Sequence, residues 1–316
     1  MEGHGREDSA EIMHSRWFNV AVALLWLSTM SWLLIEKVLP AFWVGDPPDS
    51  RSILAAKADE STVGWAMSWN GRPMGWALNK TNPLPQGLTQ LHSRVHFERL
   101  DDLADSLTKW LGSFGELGAQ FQKDLRRLQP VFDSLLEFDS LGRLSRFESA
   151  VRFLPSPEEP AFKVKGQIDG SRLTLTLRVG TVNYDIERTV PRSAMMDDAF
   201  SPQTCLPGLR VGQSWTVEIY SPLRTANDPT EILYVTVEAR EPLVWRGRSV
   251  DTLLVVYRRD TGTAGDRAAK PAGRVWVRPD GVILRQEVTF FGFTMTFERL
   301  SDVEAAALAS KVGYKP

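Results

Sequence analysis

Trp17–Ile35, WFNVAVALLWLSTMSWLLI, is nineteen residues without a charge. At about 1.5 Å per residue, a helix of that length reaches about 28 Å, close to the roughly 30 Å apolar core of a bilayer. Trp17, Trp32 and Trp43 stand near its ends, where aromatic side chains anchor at membrane interfaces. Arg16 flanks one end, Glu36 and Lys37 the other, and Pro40 and Pro47-Pro48 stop the helix. A cleaved signal peptide fits less well, because its apolar region is shorter and small residues follow it. Here EKVLPAFWVGD follows, with no Cys to carry a lipid. A buried core helix fits poorly with so long an uncharged run near the N-terminus. The expectation is a short tail (1–16), then an uncleaved single-span anchor (17–39). The tail is expected in the cytoplasm of a bacterium, the anchor in its inner membrane, and the large domain on the extracytoplasmic side.

The rest of the chain reads mainly as strands. Residues 40–62, with three prolines, read as a linker. VGWAMSWNGRPMGWAL splits at Asn70-Gly71, the preferred pair for a type I′ hairpin turn. Leu88–Glu98 alternates with period two, and RLTLTLRV places Leu173, Leu175, Leu177 and Val179 on one face. Further strands are expected up to Leu300, most of them joined by short turns, so the sheet should be antiparallel. Residues 99–128 differ. Leu107, Trp110, Leu111, Phe114 and Phe121 recur at spacings of three and four, an amphipathic helical stripe. One striped helix needs a surface to cover it, and a curved sheet provides one. The expected class is α+β: a large curved antiparallel sheet over 63–300, an incomplete β-barrel, wrapped around one long amphipathic helix. A C-terminal tail (301–316) with a short helix follows.

Chemistry is sparse. Hydrophobic residues are 43% and charged residues 24% of the 316, an ordinary balance for a folded protein. With a net charge of −2, the chain offers no general attraction for nucleic acid. Cys205 is the one cysteine, which rules out an internal disulfide and reads as a small buried hydrophobe. There is no GxSxG, HExxH, P-loop or GxGxxG motif. His92 and His96 would bind a metal from a helix, but on a strand they lie about 13 Å apart. No cofactor, metal or catalytic set is expected, so the chain reads as a non-enzyme.

Two stretches carry a resemblance. LPGLRVGQSWTVEIYSPL, with Leu206-Pro207-Gly208-Leu209, Gly212 and Trp215, is the first. VWVRPDGVILRQEVTF, with Trp276, Asp280 and Gly281, is the second. With the GRPMGWA hairpin and the long meander, they resemble uncharacterised bacterial envelope proteins that are similar to the periplasmic lipoprotein-localisation carriers. That resemblance covers roughly 63–300 and implies an incomplete barrel with an apolar cavity, and no catalytic residues. Two functions follow as expectations. One is a membrane-anchored extracytoplasmic binding module for a lipid, a lipoprotein or another hydrophobic ligand, with Leu107, Trp110, Leu111, Phe114 and Phe121 lining the site. The other is a non-catalytic assembly subunit of an envelope membrane complex.

The hairpin at 274–290 is less decided. Val275 and Val277 point one way and Arg274, Trp276 and Arg278 the other. The expectation is that Val275, Val277, Leu284 and Val288 face the interior. Trp276, Arg274 and Arg278 then form an outer contact for lipid or a partner.

Overall fold

The computed structural model describes residues 8–38, 47–58, 61–98, 129–154, 160–190, 195–196, 201–220, 230–259, 271–290 and 293–316. The chain divides into two compact units, Met1–Asp46 and Pro47–Pro316. The first unit is helix α1, Asp8–Leu33, which loosens into a π turn at Leu34–Val38. Within it, Trp17–Glu36 is exposed throughout and is long and apolar enough to cross a membrane.

The second unit holds one sheet of fifteen strands. In chain order these are β1 Val63–Trp69, β2 Arg72–Pro83, β3 Thr89–Phe97, β4 Gln129–Phe138, β5 Leu144–Leu154, β6 Phe162–Asp169, β7 Arg172–Val179 and β8 Val182–Thr189. They continue as β9 Met195–Met196, β10 Ser214–Tyr220, β11 Thr230–Trp245, β12 Arg248–Arg259, β13 Gly273–Val277, β14 Ile283–Phe290 and β15 Phe293–Arg299. Helices α2, Ser50–Ala58, and α3, Asp302–Lys311, complete the unit.

The sheet order is β8 through β1, then β15 down to β9. The pairs are antiparallel except β9 with β10, which is parallel over two residues. The first and last strands pair, with Trp65 opposite Arg299. Two meanders therefore share a central seam and run outward to β8 and β9, which are the edges of an open sheet. Local chemistry explains the turns. Asn70 and Gly71 both take positive φ, 47° and 79°, the type I′ geometry the pair favours.

One face of the seam is the core. Trp65, Met67 and Trp69 of β1, Met295 and Phe297 of β15 and Val275 and Val277 of β13 are all at most 3% exposed. Ile53 of α2 packs against this cluster. Residues 40–62, expected as a linker, thus contain a packed helix. Asp49 starts it by accepting the Ser52 backbone N–H through its carboxylate at 2.7 Å, an N-cap that outweighs the nearby prolines. A strap from Ser201 to Leu206 crosses the core face. Asn79 Nδ2 donates to Ser201 Oγ at 2.8 Å. Thr204 O accepts from Ile283 N and from Arg299 Nη1, both at 3.1 Å. Leu206 N donates to Gly281 O at 2.8 Å.

On the outer face, α3 covers β1. A Cβ on Gly64 would lie 2.9 Å from Ala305 Cβ, so only glycine lets the helix seat this closely. The β11–β12 arm also folds over this face. β11 lies four places from β15 in the sheet, about 19 Å if the sheet were flat. Yet Trp245 Nε1 donates to Arg299 O at 2.9 Å, and Arg246 pairs with Glu304. The arm bends at a bulge between Val237 and Ala239, where an extra residue redirects the strand.

The expected long helix at 99–128, with the sheet wrapped around it, lies outside the described residues. So does most of the polar loop expected at 260–272.

Candidate functional site

Two surfaces concentrate the chemistry. The first is the core-side face of the wing β2–β8, where register lines side chains up in rows. Leu91, Leu136, Phe147, Gly166, Leu175 and Ile186 are successive cross-strand partners from β3 to β8. A parallel row runs Ala77, Val95, Phe132, Val151, Phe162, Val179 and Val182 from β2 to β8. Both are apolar throughout, because alternation on every strand presents the same phase to this face. Gly166 leaves room for the Phe147 ring, which a Cβ there would overlap.

Between them lies a third row: Asn79, Ser93, Ser134, Ser149, Val164, Leu177 and Tyr184. It is polar toward the seam and apolar toward the edge. Ser134 Oγ and Ser149 Oγ bond each other at 3.0 Å. Ser93 Oγ and Asn79 Oδ1 are buried without a hydrogen-bond partner. Burial fades along the row, from Asn79 at 2% and Ser93 at 3% exposed to Tyr184 at 45%.

The second surface is a groove of about 250 Å³ on the outer face of β11–β13. Leu254 and Val256 with Trp276 form its apolar part, and Glu238, Glu241, Arg258 and Arg274 its charged part. Arg258 is bound to Glu238 at 2.6 Å, and Arg274 faces Glu287 at 3.9 Å.

The residues singled out in the sequence fall as follows. Leu107, Trp110, Leu111, Phe114 and Phe121 lie outside the described residues. Trp276 does point away from Val275 and Val277, but it is 7% exposed and packs with Leu243 and Leu284. The expected outer contact through Trp276 is therefore corrected: the folded-back β11–β12 arm covers the indole, and Arg285 stacks over its ring at 5.9 Å. Leu284 is also outside rather than inside, because a bulge between Trp276 and Val277 inserts it beside Arg285. Ile283 takes the interior place, fully buried. Arg274 is exposed. Arg278 is tied to Asp280, whose carboxylate also accepts the Val282 backbone N–H at 3.2 Å. That Arg278 hydrogen bond holds the Asp280 carboxyl below its usual range. The wing rows were missed because alternation marks a face without saying which strands adjoin it.

Other titratable groups serve structure. Burial pushes the Tyr257 hydroxyl above its ordinary value, so it stays a donor, to Gln203 Oε1 at 3.3 Å. His92 and His96 sit on the outer face of β3 and are held below the usual histidine value by burial. Among the described residues, no group of three His, Cys, Asp or Glu side chains is assembled.

No family model and no curated protein sequence matches the chain. Solved structures that it resembles include a beta-barrel-like protein of domain of unknown function DUF1849 from Brucella abortus. That likeness has 9% identity over 76% of this chain and 95% of the other, with a TM-score of 0.42. A DUF1089 family protein from Pseudomonas aeruginosa matches at 14% identity over 68% and 90%, with a TM-score of 0.32. LprF from Mycobacterium bovis matches at 11% identity over 81% and 94%, with a TM-score of 0.18.

Proposed function

We propose that this chain is a membrane-anchored binding module that holds a hydrophobic ligand, a lipid or a lipoprotein acyl chain, on the core-side face of β3–β8. The anchor is Trp17–Glu36, and the sheet stands on the extracytoplasmic side of a bacterial inner membrane. The supporting observation is that an apolar row continues unbroken to the edge while its burial does not: Val182, at its end, is 49% exposed, and Tyr184, which ends the row beside it, is 45% exposed. A face of that kind gains about 25 cal/mol for each Å² of apolar surface that a ligand covers. No catalytic set is needed, and the module is a binder rather than an enzyme.

Mass spectrometry of the full chain, purified in a mild non-ionic detergent, tests the reading. Lipid or acylated protein should copurify at near-stoichiometric amounts and be lost from a Leu177→Asp variant. Equal lipid content in both proteins would refute it. A second reading, an assembly subunit of an envelope complex, is favoured by the β8 edge. Seven of its eight residues are exposed, and an open strand edge is a template for another chain. Copurification of a stoichiometric membrane protein, abolished by proline at Asp185, would favour that reading instead.

A further inference from the structure

The middle row of the wing sets polar side chains between two apolar rows on the core-side face. Asn79, Ser93, Ser134 and Ser149 occupy four adjacent strands there, while other polar side chains of the same phase, among them Thr81 beside Leu91 and Arg188 beside Leu173, lie outside the row. Buried polar groups in native proteins are nearly always hydrogen-bonded, and one left without a partner is destabilising. Ser93 Oγ and Asn79 Oδ1 are two such groups, directly opposite one another across β2 and β3. Violations of local rules of this kind gather at functional positions. None of the seven residues in the row is charged. Beyond Ser149 the same row turns apolar, through Val164 and Leu177 to Tyr184, as it opens to solvent.

We infer that this row reads the head of the ligand: Asn79, Ser93, Ser134 and Ser149 select an amphiphile with an uncharged, hydrogen-bonding head, while its chain lies over Val164, Leu177 and Tyr184. The inference rests on the binding function proposed above and adds the class and orientation of the ligand. Serine hydroxyls donate and accept, and the Asn79 carbonyl oxygen accepts, so a diol, amide or ester-bearing head is matched at both roles. A carboxylate or ammonium buried there would meet no counter-charge within the row, and burying an unpaired charge is strongly disfavoured. Strand spacing of about 4.8 Å gives the polar and apolar parts about 14 Å and 10 Å, so a glycerol-sized head, about one strand spacing long, fits within the polar band beside the first part of an acyl chain.

The test compares three ligands of equal chain length on the full chain in non-ionic detergent. They are monolauroylglycerol, laurate and dodecyltrimethylammonium, each displacing a fluorescent monoacylglycerol. The expected result is that monolauroylglycerol binds at least tenfold more tightly than either ion. In the Ser93→Ala/Ser134→Ala/Ser149→Ala variant that preference should shrink to about twofold, with chain binding kept. Equal affinities for the three heads, or a preference unchanged by the triple substitution, would overturn the inference while leaving the binding function standing. Failure of all three to bind overturns both. Should the triple variant not fold, Ser149→Ala alone, at the half-exposed end of the band, is measured, and an unchanged preference there has the same force.

Discussion

Trp276 shows at single-residue resolution how face and exposure separate. Its place opposite Val275 and Val277 follows from alternation along β13, and the structure agrees with it. Its cover comes from Leu243, thirty-three residues away on the folded-back arm, and no local pattern announces that. Trp276→Ala should therefore behave as a core truncation and destabilise by about 3–5 kcal/mol in chemical denaturation; a loss under 1 kcal/mol would return Trp276 to the surface. Gly166 is constrained in a different way. Its missing side chain makes the bed for the Phe147 ring, so Gly166→Val overpacks the wing. The expected cost is about 1–3 kcal/mol, read as a lowered melting temperature. Gly281 brings two distant motifs into contact. A Cβ there would lie 2.8 Å from Pro207 Cα, at a φ of +91°. The Leu206-Pro207 stretch and the Pro279-Asp280-Gly281 turn are thus two sides of one contact.

Among the elements, the helices are set by their ends. Ser301 and Glu304 form a capping box on α3: the Ser301 hydroxyl accepts the Glu304 N–H, and Glu304 Oε2 accepts the Ser301 N–H at 2.9 Å. Ser301→Ala should cost about 1 kcal/mol and loosen the C-terminus, visible as faster amide exchange across α3. The Ser301 hydroxyl, and then Arg246, hold the Glu304 carboxyl down at about 2, from an ordinary 4.5. Because the folded value is depressed, the cap's stabilisation is present above pH 4.5 and is lost as pH falls toward about 2. β3 adds an earlier fall. His92 and His96 are held below 6.5 by burial. As pH drops below 6.5 the unfolded chain takes up protons that the folded one resists, so stability declines. A melting-temperature profile should thus descend below pH 6.5 and again below pH 4.5. The first descent should be smaller in a His92→Gln/His96→Gln variant, and an identical profile would remove the histidines from the account.

For the whole molecule, the division into Met1–Asp46 and Pro47–Pro316 has a direct consequence. Removing residues 1–46 should release a folded, soluble sheet unit with an unchanged melting temperature, measured after fractionation of cells. Aggregation of that fragment, or its retention in the membrane fraction, would speak against the proposed anchoring by Trp17–Glu36. The apolar N-terminal helix was legible from sequence because it depends on nothing but its own composition. The same holds for β1, which spans Val63–Trp69 as its alternation implies, and for the Asn70-Gly71 turn, whose φ values are a local property of those residues. The antiparallel meander was legible too, since short turns leave neighbouring strands no other pairing. Pairing of β1 with β15 is of another kind, joining residues more than two hundred positions apart. The helix in the expected linker was hidden because the three prolines read as a tether and a helix of nine residues carries little periodic signal. Leu284 and the arm over Trp276 turned on single-residue bulges, which reverse every side chain beyond them and leave no periodic signature. The sequence by itself determined which residues alternate, where the chain turns and where a membrane span fits, because these are settled within a few residues. Only the tertiary structure decided which faces meet. It set the serine band in line with an apolar row that opens to solvent, because register is fixed by distant strands competing for the same core.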